Sequence, residues 1–137
     1  MPKLAEGYTA KYTFQCLEKN MTRFEAERAF QLEPEPLKVE DINQYIVMAN
    51  REHNLLYLCF YLHHIEKILN GRIYRFFHRE GLYAYDPVRL LDYKLNCVSA
   101  IVECLSGYDP DKGADFLTYA YYDIGNAILD CRRYEEA

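Results

Sequence analysis

Nowhere in this chain is there an uncharged apolar run of membrane-spanning length, so no transmembrane helix is expected. Its first residues lack the apolar core of a secretory signal peptide, and a cytoplasmic location is the expectation. No cysteine pair has C-x-x-C spacing. The five cysteines, Cys16, Cys59, Cys97, Cys104 and Cys131, are odd in number, so buried reduced thiols are expected rather than disulfides or a metal site. P-loop, G-x-G-x-x-G, G-x-S-x-G and H-E-x-x-H motifs are all missing, so neither an enzyme nor a bound cofactor is expected. Adjacent His63 and His64 would point about 100° apart on a helix and cannot form an i, i+4 metal pair. Asp109, Asp111 and Asp115 alternate like the start of a calcium loop, but the closing position is Ala120, so turn and cap chemistry accounts for them better. There is no internal repeat and no low-complexity tract.

What is present is the composition of one globular domain: 137 residues, 50% hydrophobic and 27% charged. The net charge of −5 is unevenly spread. Residues 1–50 carry 6 basic and 8 acidic side chains, residues 51–91 carry 6 and 4, and residues 92–137 carry 4 and 9. Duplex DNA binding depends on Lys and Arg neutralising phosphates, so tight independent binding to a duplex is not expected.

Residues 1–20 fit two patterns. Tyr8, Ala10, Tyr12, Phe14 and Cys16 alternate as in a strand, while Leu4, Tyr8, Tyr12 and Cys16 fit a helical stripe. Thr and aromatic content favours the extended form, paired across a homodimer or laid on the helices as an arm. Thr22 and Glu25 form a capping box, which predicts a helix over 22–31. Glu33-Pro34-Glu35-Pro36 ends it and divides an N-terminal arm, 1–32, from a helical domain, 37–137. A short helix is predicted over 39–49, with Ile42, Tyr45, Ile46 and Ala49 on one side. Asn50 is a candidate cap for the longest helix, 51–80. There Leu55, Leu58, Leu62, Ile65, Leu69, Ile73 and Phe76 recur three and four apart as a buried stripe, and Gly81 is the stop. Arg72, Arg75, His78 and Arg79 gather at its C-terminal end. They either complement the helix dipole or form a phosphate- or partner-binding patch among Tyr74, Phe76 and Phe77. Asp86-Pro87 opens the next helix, with Val88, Leu91, Leu95, Val98, Ile101 and Leu105 as its buried side.

After Gly107 comes Asp109-Pro110-Asp111-Lys112-Gly113, a turn: Pro presets φ, Asp bonds its own backbone and Gly takes positive φ. A single helix is predicted over 116–134. Phe116, Tyr119, Ala120, Ile124, Ala127, Ile128 and Cys131 lie on its apolar face, with Tyr121 and Tyr122 beside it and partly exposed. The expected fold class is thus all-α, a compact bundle of four or five helices with an N-terminal arm.

From about Asp92 to Arg133 the sequence resembles region 2 of the sigma-70 family of bacterial RNA polymerase sigma factors. Tyr108-Asp109-Pro110, Gly113, Phe116, Thr118-Tyr119-Ala120, Ile124, Ala127 and Ile128 stand in that family's register. The resemblance implies docking on core RNA polymerase through residues 92–107, with Asp92, Leu95, Asn96, Ser99 and Glu103 as the contacts. It also implies contact with the melted, single-stranded −10 promoter element through Thr118, Tyr119 and Tyr122, with Arg132 and Arg133 as further cations. Tyr119 is the candidate for stacking on a flipped base, and for Phe116 a place in the core is the better reading. Several positions depart from the family. Its Asp-Leu-x-Gln-Glu-Gly reads Asp92-Tyr93-Lys94-Leu95-Asn96-Cys97, its Trp-Trp pair reads Tyr122-Asp123, and the Arg after Ile124 is Gly125, which removes a cation. A later helix-turn-helix segment has no counterpart in the sequence, which implies either part of a longer factor or a narrower module. Asp123, Gly125 and the acidic C-terminal segment support an alternative: a sigma-derived protein-interaction or regulatory module without DNA binding, as a homodimer or alone.

Overall fold

The computed structural model describes residues 21–30, 37–38, 40–82 and 86–136, together with Leu17. Among the described residues the chain is all-α, with six α-helices, one 3-10 turn and no strand. In chain order the helices are α1 Arg23–Phe30, α2 Asn43–Glu52, α3 Leu55–Arg79, α4 Pro87–Leu105, α5 Phe116–Tyr119 and α6 Tyr121–Glu136, with the 3-10 turn Pro110–Lys112 between α4 and α5. The strand-or-helix question for residues 1–20 and the Glu33–Pro36 linker lie outside the described residues, Leu17 excepted. Leu17 is helical and fully buried in the common core. No helix among the described residues is long and apolar enough to cross a membrane.

α3 is the spine of the bundle, with α1, α2 and α4 packed against it and α6 packed along α4. The stripe predicted from spacing is the buried one: Leu58, Leu62, Ile65, Leu69, Ile73 and Phe76 are in the core, and Leu55 is packed at its edge. Each fully buried Leu, Ile or Phe stabilises the fold by roughly 1.5–3 kcal/mol relative to exposure, so this one face carries much of the core's stabilisation. Gly71 interrupts nothing. Gly81 takes φ +66° and ends the helix: its N–H and that of Leu82 donate to the carbonyls of His78 and Phe77 at 3.2 and 2.8 Å.

The start of α3 lies four residues later than predicted. Asn54, not Asn50, is the cap, in extended conformation with its side chain accepting from Leu56 N–H at 2.9 Å. His53 takes a left-handed φ of 50° and closes α2 first. Asn50 instead donates from Nδ2 to the Leu105 carbonyl at 2.8 Å, satisfying an orphan acceptor at the end of α4.

α4 begins as expected, with Asp86 accepting from Val88 and Arg89 N–H at 3.0 and 3.2 Å. Its buried face holds the predicted Leu95, Val98 and Ile101, with Leu91 and Leu105 packed at the edge; only Val88, in the first turn, stays out at 68% exposed. Tyr93 widens that face. Its ring packs edge-on to Phe77 at 4.8 Å, and its hydroxyl donates to Glu135 at 3.2 Å. Lys94 is buried beside it, its Nζ 3.4 Å from Glu66 Oε1.

The helix predicted over 116–134 is two helices. Ala120, at φ −87° and ψ 1°, breaks the run after four residues. Ala120 is itself fully buried, so the break turns Tyr121 and Tyr122 outward while keeping Phe116 and Ile124 inside.

Candidate nucleic-acid interface

The turn before α5 is built as its residue types dictate. Asp109 accepts from Asp111 N–H at 2.9 Å, Pro110 opens the 3-10 turn, and Gly113 has φ +88°. Asp115 then caps α5, accepting from Thr118 N–H at 2.9 Å. What fixes the turn to the bundle comes from far away in sequence. Asn43 on α2 donates from Nδ2 to the Tyr108 hydroxyl at 2.9 Å and accepts from Phe116 N–H on Oδ1 at 2.8 Å. The Tyr108 hydroxyl donates onward to the Ala114 carbonyl at 2.6 Å. One amide therefore holds both ends of the turn. Beneath it, the Phe116 ring is edge-on to Tyr61 and Tyr108 at 5.8 and 5.4 Å. Phe116 is fully buried, the core role preferred for it. Burial, and then the nearby Asp115 charge, pushes the Tyr61 hydroxyl's pKa up.

The tyrosines that follow differ in availability. Tyr119 is 44% exposed; its ring lies 5.5 Å from Tyr108 and its hydroxyl reaches over Gly107, where a Cβ would come within 2.6 Å of it. One side of this ring is packed. Thr118 is exposed beside it. Tyr122 is 79% exposed and Tyr121 54%, their rings edge-on at 5.4 Å.

Across from these two rings stand the arginines of α3. Arg72, Arg75 and Arg79 line a cleft of about 350 Å³ with Tyr121, Tyr122 and Asn126, floored by Phe76 and Ile128. Arg72 donates to the Tyr121 carbonyl at 2.7 Å and covers the Tyr121 ring at 4.0 Å. Its guanidinium reaches there because residue 125 is glycine: a Cβ at Gly125 would lie 2.9 Å from Nη2. Gly125 itself carries no cation, but α3 brings Arg72 to the same place.

Arg132 and Arg133 do not join the tyrosines. They lie about 15 Å further along α6 by helical rise. Arg132 pairs with Glu135 and Glu136 at 3.5 and 3.2 Å, and Arg133 with Asp130 at 3.0 Å. Their charge is taken up within their own helix. Of the residues expected to dock a polymerase, Leu95 is only 8% exposed and belongs to the core, as its place in the apolar stripe of α4 requires. Asp92 and Glu103 are exposed, and Asn96 and Ser99 half-buried. With Asp123, Asn126 and Asp130 of α6, Asn96, Ser99 and Glu103 line a groove of about 270 Å³ that holds no Lys or Arg. Cys104 donates to Asp123 Oδ2 at 3.3 Å at its edge, and burial followed by this bond pushes the thiol pKa up to about 11. Cys59, Cys97 and Cys131 are buried and in the reduced thiol form. Among the described residues, no group of three His, Cys, Asp or Glu side chains could hold a metal ion.

Opposite charges therefore flank α6: the arginines of α3 on one side, and carboxylates of α4 and of α6 itself on the other. The spacing of Arg72, Arg75 and Arg79, three and four apart, marked one helical face in the sequence; that Tyr121 and Tyr122 face it had no local signal. Scans of protein-family models, of curated proteins and of solved structures find no match to this chain.

Proposed function

We propose that this chain is a sigma-70-like region 2 module acting in transcription initiation: it docks on core RNA polymerase through the polar face of α4 and contacts unpaired promoter DNA through the tyrosines after Gly113. The observation that carries the reading is the pair of exposed rings, Tyr121 and Tyr122, on a surface shared with three arginines. An unpaired base offers a π-face, and stacking on an aromatic side chain is worth about 1–3 kcal/mol. Adjacent guanidinium groups suit the phosphates of the same strand. The register from Tyr108 to Ile128 supplies the family comparison. On α4 the docking contacts reduce to Asp92, Asn96, Ser99 and Glu103, a polar and acidic face suited to a basic partner surface.

A pull-down with core RNA polymerase tests the docking half; a folded sample that fails to bind defeats it. Fluorescence of a labelled −10 single strand, with polymerase present, tests the other. Its response should fall on Tyr122→Ala and on Tyr119→Ala, and indifference to both substitutions would remove the stacking role. The acidic groove around Asp123 favours one second reading, a regulatory module that binds a basic protein surface and no DNA. A folded chain that captures a protein partner while ignoring single strands at every salt concentration would select it.

A further inference from the structure

We propose that the cleft between the C-terminal half of α3 and the first turns of α6 is a phosphate site, with Arg75 and Arg79 as the phosphate-binding groups and Tyr122 as the platform for the attached base. The strand as source of that phosphate rests on the function proposed above; the phosphate chemistry rests on the cleft alone.

No carboxylate lines this cleft, although the chain as a whole carries a net charge of −5. Its three arginines are in different states. Arg72 is committed to the Tyr121 carbonyl and ring, so it forms a fixed cationic wall. Arg75 has no hydrogen-bond or ion-pair partner among the described residues, and its side chain is exposed. Arg79 lies over the Phe76 ring at 5.4 Å, and its nearest acidic contact, Glu80, is 3.9 Å away with both side chains well exposed. A pair that loose holds the guanidinium by well under 1 kcal/mol. Arg75 and Arg79 stand four apart on one helix, about 6 Å between turns, and each can grip a phosphate with two parallel N–H donors.

The floor of Phe76 and Ile128 is apolar, while Tyr122 at the mouth presents a ring that is 79% exposed. Asn126 adds an amide able both to donate and to accept. A volume of about 350 Å³ is at the small end of ligand sites, roughly 300–1,000 Å³. It suits one nucleotide unit, not a helix or loop of a folded partner. The grooves on the other side of α6 carry Asp92, Glu103, Asp123 and Asp130 and would repel the same ligand. A strand crossing this helix is thereby confined to the α3 side.

The test uses the full chain at low salt and fluorescence anisotropy of a labelled oligothymidylate of about 12 nucleotides, within the range one binding module covers. A labelled nucleoside triphosphate is the second probe and unlabelled pyrophosphate the competitor. For Arg75→Gln/Arg79→Gln, the slope of log affinity against log salt should shrink by about 0.7 per arginine, with a loss on the order of tenfold or more in affinity at low salt. Arg75→Lys/Arg79→Lys should keep the slope, and Tyr122→Ala should weaken binding without changing it. Unchanged far-ultraviolet circular dichroism and melting of these surface variants separate binding loss from unfolding. A Gln variant with the wild-type slope, or a wild-type chain that binds neither probe, overturns the proposal. If the triphosphate binds as tightly as the oligonucleotide and pyrophosphate displaces both, the phosphate site stands with a free nucleotide as its source, and the strand reading falls. If the Gln variant keeps wild-type strand binding while Tyr122→Ala abolishes the polymerase-dependent signal, the phosphate site falls and the proposed function survives.

Discussion

The guanidinium of Arg72 lies 4.0 Å above the ring of Tyr121 and donates a 2.7 Å hydrogen bond to that residue's own carbonyl. This contact joins the spine of the bundle to the first turn of its last helix, and a Cβ at residue 125, 2.9 Å from Nη2, would oblige the guanidinium to shift. Gly125→Ala sets two effects against each other. Alanine inside a helix gains about 0.5–1 kcal/mol over glycine, while displacing the cation from the ring loses about 0.5–1 kcal/mol. The single substitution should therefore be nearly neutral. In an Arg72→Ala background nothing is displaced, and the same substitution should stabilise by about 0.5–1 kcal/mol. Urea midpoints of the four proteins complete the cycle; additive values would mean that Arg72 does not occupy the space over Gly125.

Asn43 is the second long-range tie. Asn43→Ala removes a donor from Tyr108 and an acceptor from Phe116 N–H, and the two bonds together should cost about 2 kcal/mol at roughly 1 kcal/mol each. Hydrogen exchange gives the local readout. Protection of the Phe116 amide should fall by more than that of Ile65 or Leu69 in the α3 core, since the turn loosens before the bundle opens. Equal loss at all sites would show that Asn43 serves the whole fold and not the turn.

The sequence made some of this legible for identifiable reasons. Asp109, Pro110 and Gly113 set their backbone by their own covalent structure, so the turn could be read without its surroundings. The α3 stripe could be read because a 25-residue helix repeats its period many times. Four features could not. The two ends of the turn meet Asn43 across 65 and 73 residues of chain, a distance no local pattern spans. Asn50 and Asn54 are chemically the same cap, and only the left-handed His53 between them decides which is used. Val88 fits the aliphatic stripe on α4 but lies exposed in its first turn, while Tyr93, outside that stripe, is buried because its ring and hydroxyl have partners on two other elements. In the candidate site the tyrosines and the arginine spacing were each visible, yet their meeting depends on how α3 and α6 are placed.

Arg132 and Arg133 supply a negative control for strand binding. Both are occupied by carboxylates of their own helix, and the exposed Arg133–Asp130 pair is worth at most about 0.5 kcal/mol. Arg133→Gln should leave stability and single-strand affinity unchanged. Arg132→Gln should cost about 1 kcal/mol, because Arg132 is half-buried and Glu135, its partner, also receives Arg89 at 3.2 Å. Neither change should alter the salt dependence of strand binding. A shallower slope in either variant would move the phosphate contacts from the α3 cleft to the end of α6.

The ionisation of Cys104 gives the fold an alkaline limit. Burial, then the bond to Asp123, raises this thiol from an ordinary 9.0 to about 11, so the folded chain keeps its proton at pH values where the unfolded chain has released it. The unfolded state then binds fewer protons, and stability falls as pH rises. The contribution is full below about pH 9 and is lost progressively between 9 and about 11. Tyr61 and Tyr93, pushed up first by burial and then by carboxylates beside them, add to the loss in the same direction. Urea midpoints should thus be level from pH 7 to 9 and drop above it. Cys104→Ala should make the drop shallower by removing one of the groups whose proton is released on unfolding. Alkylation gives an independent check, since thiolate is the reactive form. Native Cys104 should react slowly at pH 8 and faster only as pH approaches 11, while urea-unfolded chain reacts at all five cysteines at pH 8–9. Fast native labelling of Cys104 at pH 8 would mean that its bond to Asp123 does not hold in solution.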